Sequence, residues 1–394
     1  MRTAKTNKAF FLVLKRELAR ITSRRLYFGV CIILPLFCIF FMNTIFGSGG
    51  MENIPIGIVD MDQTSTSRQI SRTLSTIPTA KTIKYYSDPK EAREATVKKE
   101  IYAYVVIPKN LESDLLGKRD ATIPYYIHYA LLSVGVEMEA ALETVLAEVS
   151  LAPMVGAGTA AGTDQDRIES VILPVSFEAH PLFNPSLDYS IYLTNPFFFV
   201  LLQIIIILVT MYVLGSEIKF KTADEWLKTA DMNIFIAVTG KLLPYTIMYI
   251  IMAILGNFVM FNISNIPLSA SFLFVNLVTA LFIIATQAFG VFIFSLFPAL
   301  SIIISVASMV GSLGATLSGV TFPVFAMPPA VYYSSFLFPI RHFIEINQNI
   351  LYGNYGFAYS WQHIGILLIY VLLALLTLPR FKNATLSHKY QDIE

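Results

Sequence analysis

LLPYTIMYIIMAILGNFVMFNISNIPLSASFLFVNLVTALFIIATQAFGVFIFSLFPALSIIISVASMVGSLGATLSGVTFPVFAMPPAVYYSSFLFPI, residues 242–340, runs for 99 residues without one Asp, Glu, Lys or Arg. A charged side chain at the bilayer centre costs about 2.5–3.5 kcal/mol on insertion scales, so a run of this length is the mark of membrane spans. Residues 26–51, 189–216 and 346–379 are equally free of charge. Across all 394 residues, 55% are hydrophobic and 14% charged, against roughly 25% charged in soluble domains. That balance excludes a disordered chain, a basic nucleic-acid binder and most soluble enzymes.

A helix needs about 20 apolar residues to cross a bilayer. Six spans are expected, at 26–46, 191–214, 242–262, 268–296, 300–320 and 361–379, broken at 262–267 (NISNIP), at Pro298 and at 323–339. Charge segregation orients them. Residues 1–25, 215–241 and 380–394 together hold 15 basic and seven acidic residues, net +8, whereas 47–188 holds 12 basic and 19 acidic, net −7. Both termini and the 215–241 loop are therefore expected in the cytoplasm, with 47–188 outside. The expected architecture is a polytopic α-helical membrane protein with six transmembrane helices and an α/β extracytoplasmic insertion domain. It divides into an amphipathic interfacial helix (1–25), a first transmembrane helix (26–46), the insertion (47–188), transmembrane helices 2–6 (189–379) and a tail (380–394). The apolar run of about 21 residues behind the basic leader exceeds the usual length in a cleaved signal peptide. It reads as an uncleaved anchor, although Gly47-Ser48-Gly49 resembles a cleavage site.

Within the insertion, strands are expected at 54–59, 82–86, 102–107 and 122–130 and helices at 64–74, from Pro89, at 110–116 and at 132–150, with a loop at 153–166. Asp88 is placed to cap the second helix, with Pro89 at its first position. Asp60-Met61-Asp62-Gln63-Thr64 matches the nucleophile motif of haloacid-dehalogenase-type phosphatases. The chain has no Gly-Asp dipeptide to supply the further acids such an enzyme needs, so a strand end leading into a capped helix is the favoured reading. Cys31 and Cys38 lie seven residues apart in one span, about 10 Å along a helix and beyond disulfide reach. The five histidines show no metal-ligand spacing.

Three further segments carry candidate function. The loop 215–241 is amphipathic, with Ile218, Trp226 and Leu227 against Glu217, Asp224, Glu225 and Asp231. Its spacing leaves two readings open: a short helix whose exposed aromatic plugs a groove on a cytoplasmic partner, or a helix lying on lipid with Trp226 at the headgroups. In the leader, Phe10, Phe11, Leu14, Leu18 and Ile21 share one helical face, as expected of a helix in the headgroup layer. Residues 322–350 are apolar and punctuated by Pro323, Pro328, Pro329 and Pro339, which reads as a re-entrant outer segment of two short helices. Arg341 and Glu345, four apart, are the charged pair of that segment. They read either as a latch on an outer gate or as a headgroup-level ion pair worth under about 1 kcal/mol. The polar residues within the spans (Gln203, Asn257, Asn276, Thr286, Gln287, Ser305 and Ser308) and the small ones (Gly311, Gly314, Ala315 and Gly319) read as packing contacts.

Taken in order, these segments resemble a permease subunit of the ABC type-2 exporters, in the bacterial branch with a large domain between spans 1 and 2. The resemblance rests on the basic leader, on VDMDQT (59–64), on AYVVIPKNLESDLLGK (103–118), on Glu217 to Leu227, and on SGVTFPVFAMPP (318–329) and PIRHFIEINQNILYGN (339–354). The stretch after span 2 follows the pattern E-x-x-x-G-T-x-E-x-L, with Glu217, Thr222, Glu225 and Leu227 in place, but Lys221 stands where the pattern has glycine and Ala230 where it has proline. The resemblance implies that Glu217, Thr222, Glu225, Trp226 and Leu227 form the helix that couples to an ATPase. It also implies an ABC ATP-binding subunit, a second permease subunit, and an adaptor protein in the periplasm. No phosphate cradle is expected here, since Gly240-Lys241 is followed by leucine and Gly117-Lys118 by arginine. ATP and magnesium would thus belong to the partner, no cofactor is expected in this chain, and the resemblance places it in a bacterial inner membrane. A membrane-anchored sensor or scaffold, binding a ligand through 47–188, is the alternative.

Overall fold

The computed structural model describes residues 2–47, 54–75, 79–117, 122–129, 132–160, 184, 188, 190–298, 300–353 and 356–387. The chain divides into two compact units, one made of Met1–Gly49 with Leu182–Glu394 and the other of Gly50–Pro181. In chain order, the first unit opens with α1 (Arg2–Ser23) and α2 (Arg25–Ile45), the latter with one π turn at Gly29–Ile33. The second unit runs β1 (Ile54–Asp60), α3 (Ser65–Ser75), β2 (Ala80–Tyr86), α4 (Pro89–Val97), β3 (Ala103–Ile107), α5 (Leu111–Leu116), β4 (Tyr125–Ile127) and α6 (Leu132–Ala160). The first unit then resumes with α7 (Ser190–Lys219), α8 (Ala223–Thr229), α9 (Ile234–Ile263), α10 (Phe272–Leu296), α11 (Leu300–Thr316), α12 (Pro329–Ser335), α13 (Pro339–Gln348) and α14 (Gly356–Leu386).

The insertion is α/β, as its alternation of apolar runs and capped helices implies. The sheet order is β2-β1-β3-β4, with β1 parallel to both neighbours and β4 antiparallel to β3. Successive side chains point to opposite faces. Ile54, Ile56, Ile58, Ala103, Val105 and Ile107 pack with Ile70 and Leu74 of α3 and with Met138 and Leu142 of α6, while Val59, Tyr86, Tyr104 and Val106 pack with Ala92 and Ala95 of α4. The Asp88 carboxylate accepts from Lys90 N at 2.9 Å and caps α4. The fourth strand, expected over 122–130, covers Tyr125–Ile127 and starts only after Pro124, which has no N–H for the ladder; residue 130 lies outside the described residues. The expected loop at 153–166 is helical through Ala160, where Ala152, Ala157 and Ala160 favour continuation even though Pro153 withholds one N–H; its residues 161–166 lie outside the described residues. So do Ser48 and Gly49 of the cleavage-like site and the tail from 388 onward.

Five helices of the first unit are long and apolar enough to cross a membrane: Arg25–Ile45, Ser190–Lys219, Ile234–Ile263, Phe272–Leu296 and Ser360–Leu386. The sixth expected span is α11, of 17 residues, at the lower limit for crossing. The third span begins at Ile234 rather than 242, so the 215–241 loop shrinks to 220–233. Lys241 therefore lies inside a helix and is fully buried, for reasons given below. The core of this unit sits around α7, α10 and α13. Phe343 of α13 stacks on Phe282 of α10 at 4.2 Å between ring centroids and meets Phe199 of α7 at 4.6 Å. Polar bonds fix the register. Gln203 Oε1 accepts from Ile340 N at 3.0 Å, Asn347 donates to Asn195, Asn257 donates to Asn276 at 3.0 Å, and Thr246 donates to Gln287 at 2.5 Å.

Gly256 of α9 lets a ring sit against the helix backbone. A Cβ there would lie 2.7 Å from Phe198 Cε1 and 2.8 Å from its Cζ, and Phe198 is itself fully buried. Gly256→Ala is therefore expected to destabilise the bundle by about 1–3 kcal/mol through overpacking, read as a lower thermal midpoint of the purified protein.

Candidate functional site

At one end of the bundle, three segments meet around Glu217, in the last turn of α7, whose side chain is fully buried. Arg16 of α1 grips it with both guanidinium nitrogens at 3.0 Å. Arg20, one turn on, donates at 2.5 Å, Lys241 of α9 at 2.6 Å, and the Thr222 hydroxyl at 2.5 Å. Lys241 Nζ also reaches Glu17 of α1 at 2.6 Å, and Tyr245 OH donates to the other oxygen of Glu17 at 2.8 Å. The cluster thus holds three cations and two carboxylates. Buried charges persist only when paired and hydrogen-bonded, and here each buried charge has partners on another helix. Burial alone would lower the pKa of Arg20, but Glu217 and Glu17 raise it above its ordinary value.

The leader explains the cluster's shape. Ala9, Val13 and Glu17, spaced four apart, form the buried line of α1. Gly240 of α9 admits it: a Cβ there would lie 3.1 Å from Val13 Cγ1 and 3.4 Å from Phe10 O. Phe11 and Leu18 of the apolar face expected at the headgroups are exposed, whereas Phe10, Leu14 and Ile21 are half-buried.

The connector between α7 and α9 is held at both ends. Trp226 and Leu227 of α8 are fully buried. The Trp226 ring lies 5.6 Å beneath Lys241 Nζ and 6.3 Å from the Phe381 ring of α14. Lys382 donates to Met232 O at 2.6 Å. Both sequence readings of Trp226 are thereby corrected, since it is neither an exposed plug nor a lipid anchor. An indole gains more from a cation above it and a ring beside it than from a half-wet surface. Of the five residues expected to couple, Glu217 and Thr222 join the ion cluster, Trp226 and Leu227 join the core, and Glu225 points outward with Lys228. Lys221 has φ 55°, with Asp231 at 55° and Met232 at 59°. Lys221 occupies the position where the resembling pattern has glycine, the residue that takes this left-handed conformation without penalty.

Sequence reading missed Arg16, Glu17, Arg20, Lys241 and Tyr245. The available signal was Glu17, the one acid of the leader, on the Ala9–Val13 line, together with two lone charges, Glu217 and Lys241, bounding apolar runs. The other candidate pair is formed: Arg341 meets Glu345 at 2.7 Å, with side-chain exposures of 8% and 37%. Arg341 is thus the buried and Glu345 the more exposed member of the pair. In the insertion, the phosphatase-like aspartates serve their own loop. Asp60 accepts from Asp62 N at 3.0 Å, Gln63 N at 2.9 Å and Ser67 Oγ at 2.8 Å. Asp62 accepts from Thr64 Oγ1 at 2.7 Å and Glu112 N at 3.1 Å. Hydroxyls of Thr66 and Ser65 hold the Glu112 carboxyl below its ordinary pKa.

Two stability predictions follow from charge and backbone. Glu217→Gln leaves three cations facing one carboxylate and is expected to cost about 3–5 kcal/mol. Lys241→Met leaves two against two and is expected to cost less than half as much. Thermal unfolding of both variants in detergent gives the ranking, and equal losses would refute the charge count. Lys221→Gly relieves the left-handed backbone and is expected to stabilise by about 1 kcal/mol in the same assay.

Comparison with known proteins bears on the whole bundle. No curated protein matches the chain. The family model described as ABC-2 family transporter protein matches residues 25–378, from the first apolar helix through most of the last. With four long apolar helices and most of a fifth inside that match, the chain belongs to the ABC-2 family of transporter membrane proteins, as a permease component of an ABC transporter.

Proposed function

We propose that this chain is the membrane-spanning permease subunit of an ATP-driven exporter, and that α8 is the lever through which a separate ATPase drives it. Membership of the family implies an ATP-binding subunit and pairing of permease subunits. The proposal adds direction, orientation and contact. Both termini and the 220–233 connector face the cytoplasm of a bacterium, and 47–188 faces outward, as the net +8 and net −7 segregation supports. The outward domain is then available to an adaptor protein in the periplasm. The cargo is hydrophobic or amphipathic, a reading supported by 99 uncharged residues in sequence.

The observation that carries the proposal is the mounting of α8. Its inner face is fixed to the bundle by Trp226 and Leu227, and its outer face offers Glu225 and Lys228. Thr222, one residue before α8, is bonded to Glu217, which three cations tie to α1 and α9. A push on the outer face is therefore passed to α1, α7 and α9 together. ATP and magnesium stay on the partner.

Two experiments test this. Purification from native membranes is expected to bring an ATP-hydrolysing subunit along, and its absence under mild detergent would count against the reading. Glu225→Arg, on the exposed face, is expected to abolish transport-linked ATPase stimulation at an unchanged thermal midpoint. Trp226→Ala is expected to lower that midpoint by several degrees, because it empties a core position. Full stimulation in the Glu225→Arg protein would remove α8 as the lever.

A further inference from the structure

A second meeting of titratable side chains lies away from the ion cluster. His342 of α13 is fully buried, and its Nδ1 lies 3.1 Å from Nδ1 of His363 in α14. Its Nε2 lies 3.1 Å from the Phe336 carbonyl oxygen, which also accepts from Tyr370 OH at 2.9 Å. These contacts assign the protons. A carbonyl oxygen only accepts, so His342 Nε2 carries a hydrogen and, in the neutral ring, His342 Nδ1 is a bare acceptor. The hydrogen between the two rings therefore belongs to His363 Nδ1. His363 is half-buried, and its Nε2 is the nitrogen of the pair that takes part in neither contact.

We propose that His342 and His363 form a proton-binding site that ties α13 to α14, holding one excess proton while closed and opening when it takes a second. The first added proton goes to His363 Nε2. The His363 ring becomes an imidazolium but keeps its Nδ1–H, so it still donates to His342, now through a charge-assisted bond. The second proton has only His342 Nδ1 left to occupy. Two N–H groups then face each other at the contact, both rings are cationic, and the pair must part.

The groups around this pair are committed elsewhere or distant: of the further helices packed on α14, α8 meets it at Phe381, and on α9 Lys241 and Tyr245 are bonded to Glu17 while Tyr249 lies 3.5 Å from Cys31. On α13, Arg341 and Glu345 are paired with each other at 2.7 Å. On α14, the Tyr370 hydroxyl is committed to Phe336 O. The other helices packed against α13 are α7, α10 and α11. Helices α10 and α11 contain no acidic, basic, histidine or tyrosine residue. On α7, Asn195 and Gln203 touch α13, Tyr192 donates to Val320 O at 2.7 Å, Tyr212 lies beside the Tyr27 ring, and Glu217 and Lys219 lie about 21 Å or more beyond Gln203 at 1.5 Å per residue. An unperturbed histidine titrates near pH 6.5, and the second proton, which must enter a ring already facing an imidazolium, binds at lower pH than the first. Because the open state binds one more proton than the singly charged closed state, opening rises by up to about tenfold per pH unit beyond the second step. The inference is independent of the proposed coupling role of α8 and of which side of the membrane α13 faces.

The test uses the full chain in lipid nanodiscs, purified through a tag without histidine. His128, His180 and His388 are replaced by glutamine, which leaves the pair as the only histidines. With 15N-labelled imidazoles, the expected spectrum at pH 8 shows a nitrogen–nitrogen coupling across the Nδ1–H···Nδ1 bond. On acidification, one ring is expected to titrate at Nε2 with that coupling retained. The other is expected to titrate in a separate, lower step in which the coupling disappears. Hydrogen exchange of residues 339–348, corrected for the intrinsic pH effect, is expected to rise with the second step alone. Absence of the coupling at pH 8, its loss with the first proton, or a single shared midpoint for both rings would each overturn the proposal. His363→Asn supplies the control: its exchange at 339–348 is expected to lack the acid step, and a retained step would also overturn it.

Discussion

A carboxylate held without water at the end of a membrane bundle is the constraint on which the rest of this structure depends. Glu217 is fully buried, and an ion so placed costs several kcal/mol unless charge and hydrogen bonds surround it. Its partners come from the leader, the connector and the third long apolar helix, through Arg16, Arg20, Thr222 and Lys241. None of these segments can leave without exposing the others' charges to an apolar interior. The same requirement docks the leader, for Glu17 is bonded to Lys241 and Tyr245. What composition presents as a positive topology signal is, in three dimensions, a structural helix whose charges complete a core.

The apolar part of the bundle is held by a different device. Between lipid-like side chains the hydrophobic effect gives little preference for one register over another, so close backbone approach and buried hydrogen bonds set it. Gly256 accepts the Phe198 ring, Gln203 takes the first free N–H of α13, and Asn347 meets Asn195. These bonds converge on α13, a ten-residue helix that reaches α7, α10 and α14 through Phe343, Asn347 and His342. A short helix anchored to three long ones is well placed to report their relative motion.

Much of the fold was legible in the sequence, because absence of charge is a strong signal over 20 residues and strand alternation survives in the insertion. The boundaries that failed have different causes. The third apolar helix extends back through Lys241, which the sequence presents as a loop residue until its partners Glu17 and Glu217 are known, 224 and 24 residues away in the chain. The fourth strand shortened at a proline, and a Gly/Ala-rich stretch continued α6. The candidate site was half legible. The family resemblance singled out Glu217, Thr222, Glu225, Trp226 and Leu227, but no periodicity separates the buried from the exposed members of a seven-residue helix. Trp226 turned inward because a lysine above it and Phe381 beside it were waiting, and both lie outside the segment that was read.

The same logic separates motif from chemistry in the insertion. Asp60, Asp62 and Thr64 stand at the end of a parallel strand, as a phosphatase nucleophile loop would require. Yet the Asp60 oxygens accept two backbone N–H groups and the Ser67 hydroxyl, and Asp62 accepts from Thr64 and from the first turn of α5. Gln63, at φ 56°, is turned into the left-handed region by this loop. A carboxylate that organises the N–H groups of its own turn has its lone pairs directed along the chain, and these bonds carry the chain from strand to helix. At Glu217 and at Asp60 alike, the acidic residue closes the geometry of the segments around it. The difference lies in reach: Asp60 binds its own loop and its helix, whereas Glu217 binds residues as far as 201 positions away. Only the second arrangement can carry a displacement from one helix to another, and that is why the lever of this permease is sought at Glu217 and the α8 mounted beside it.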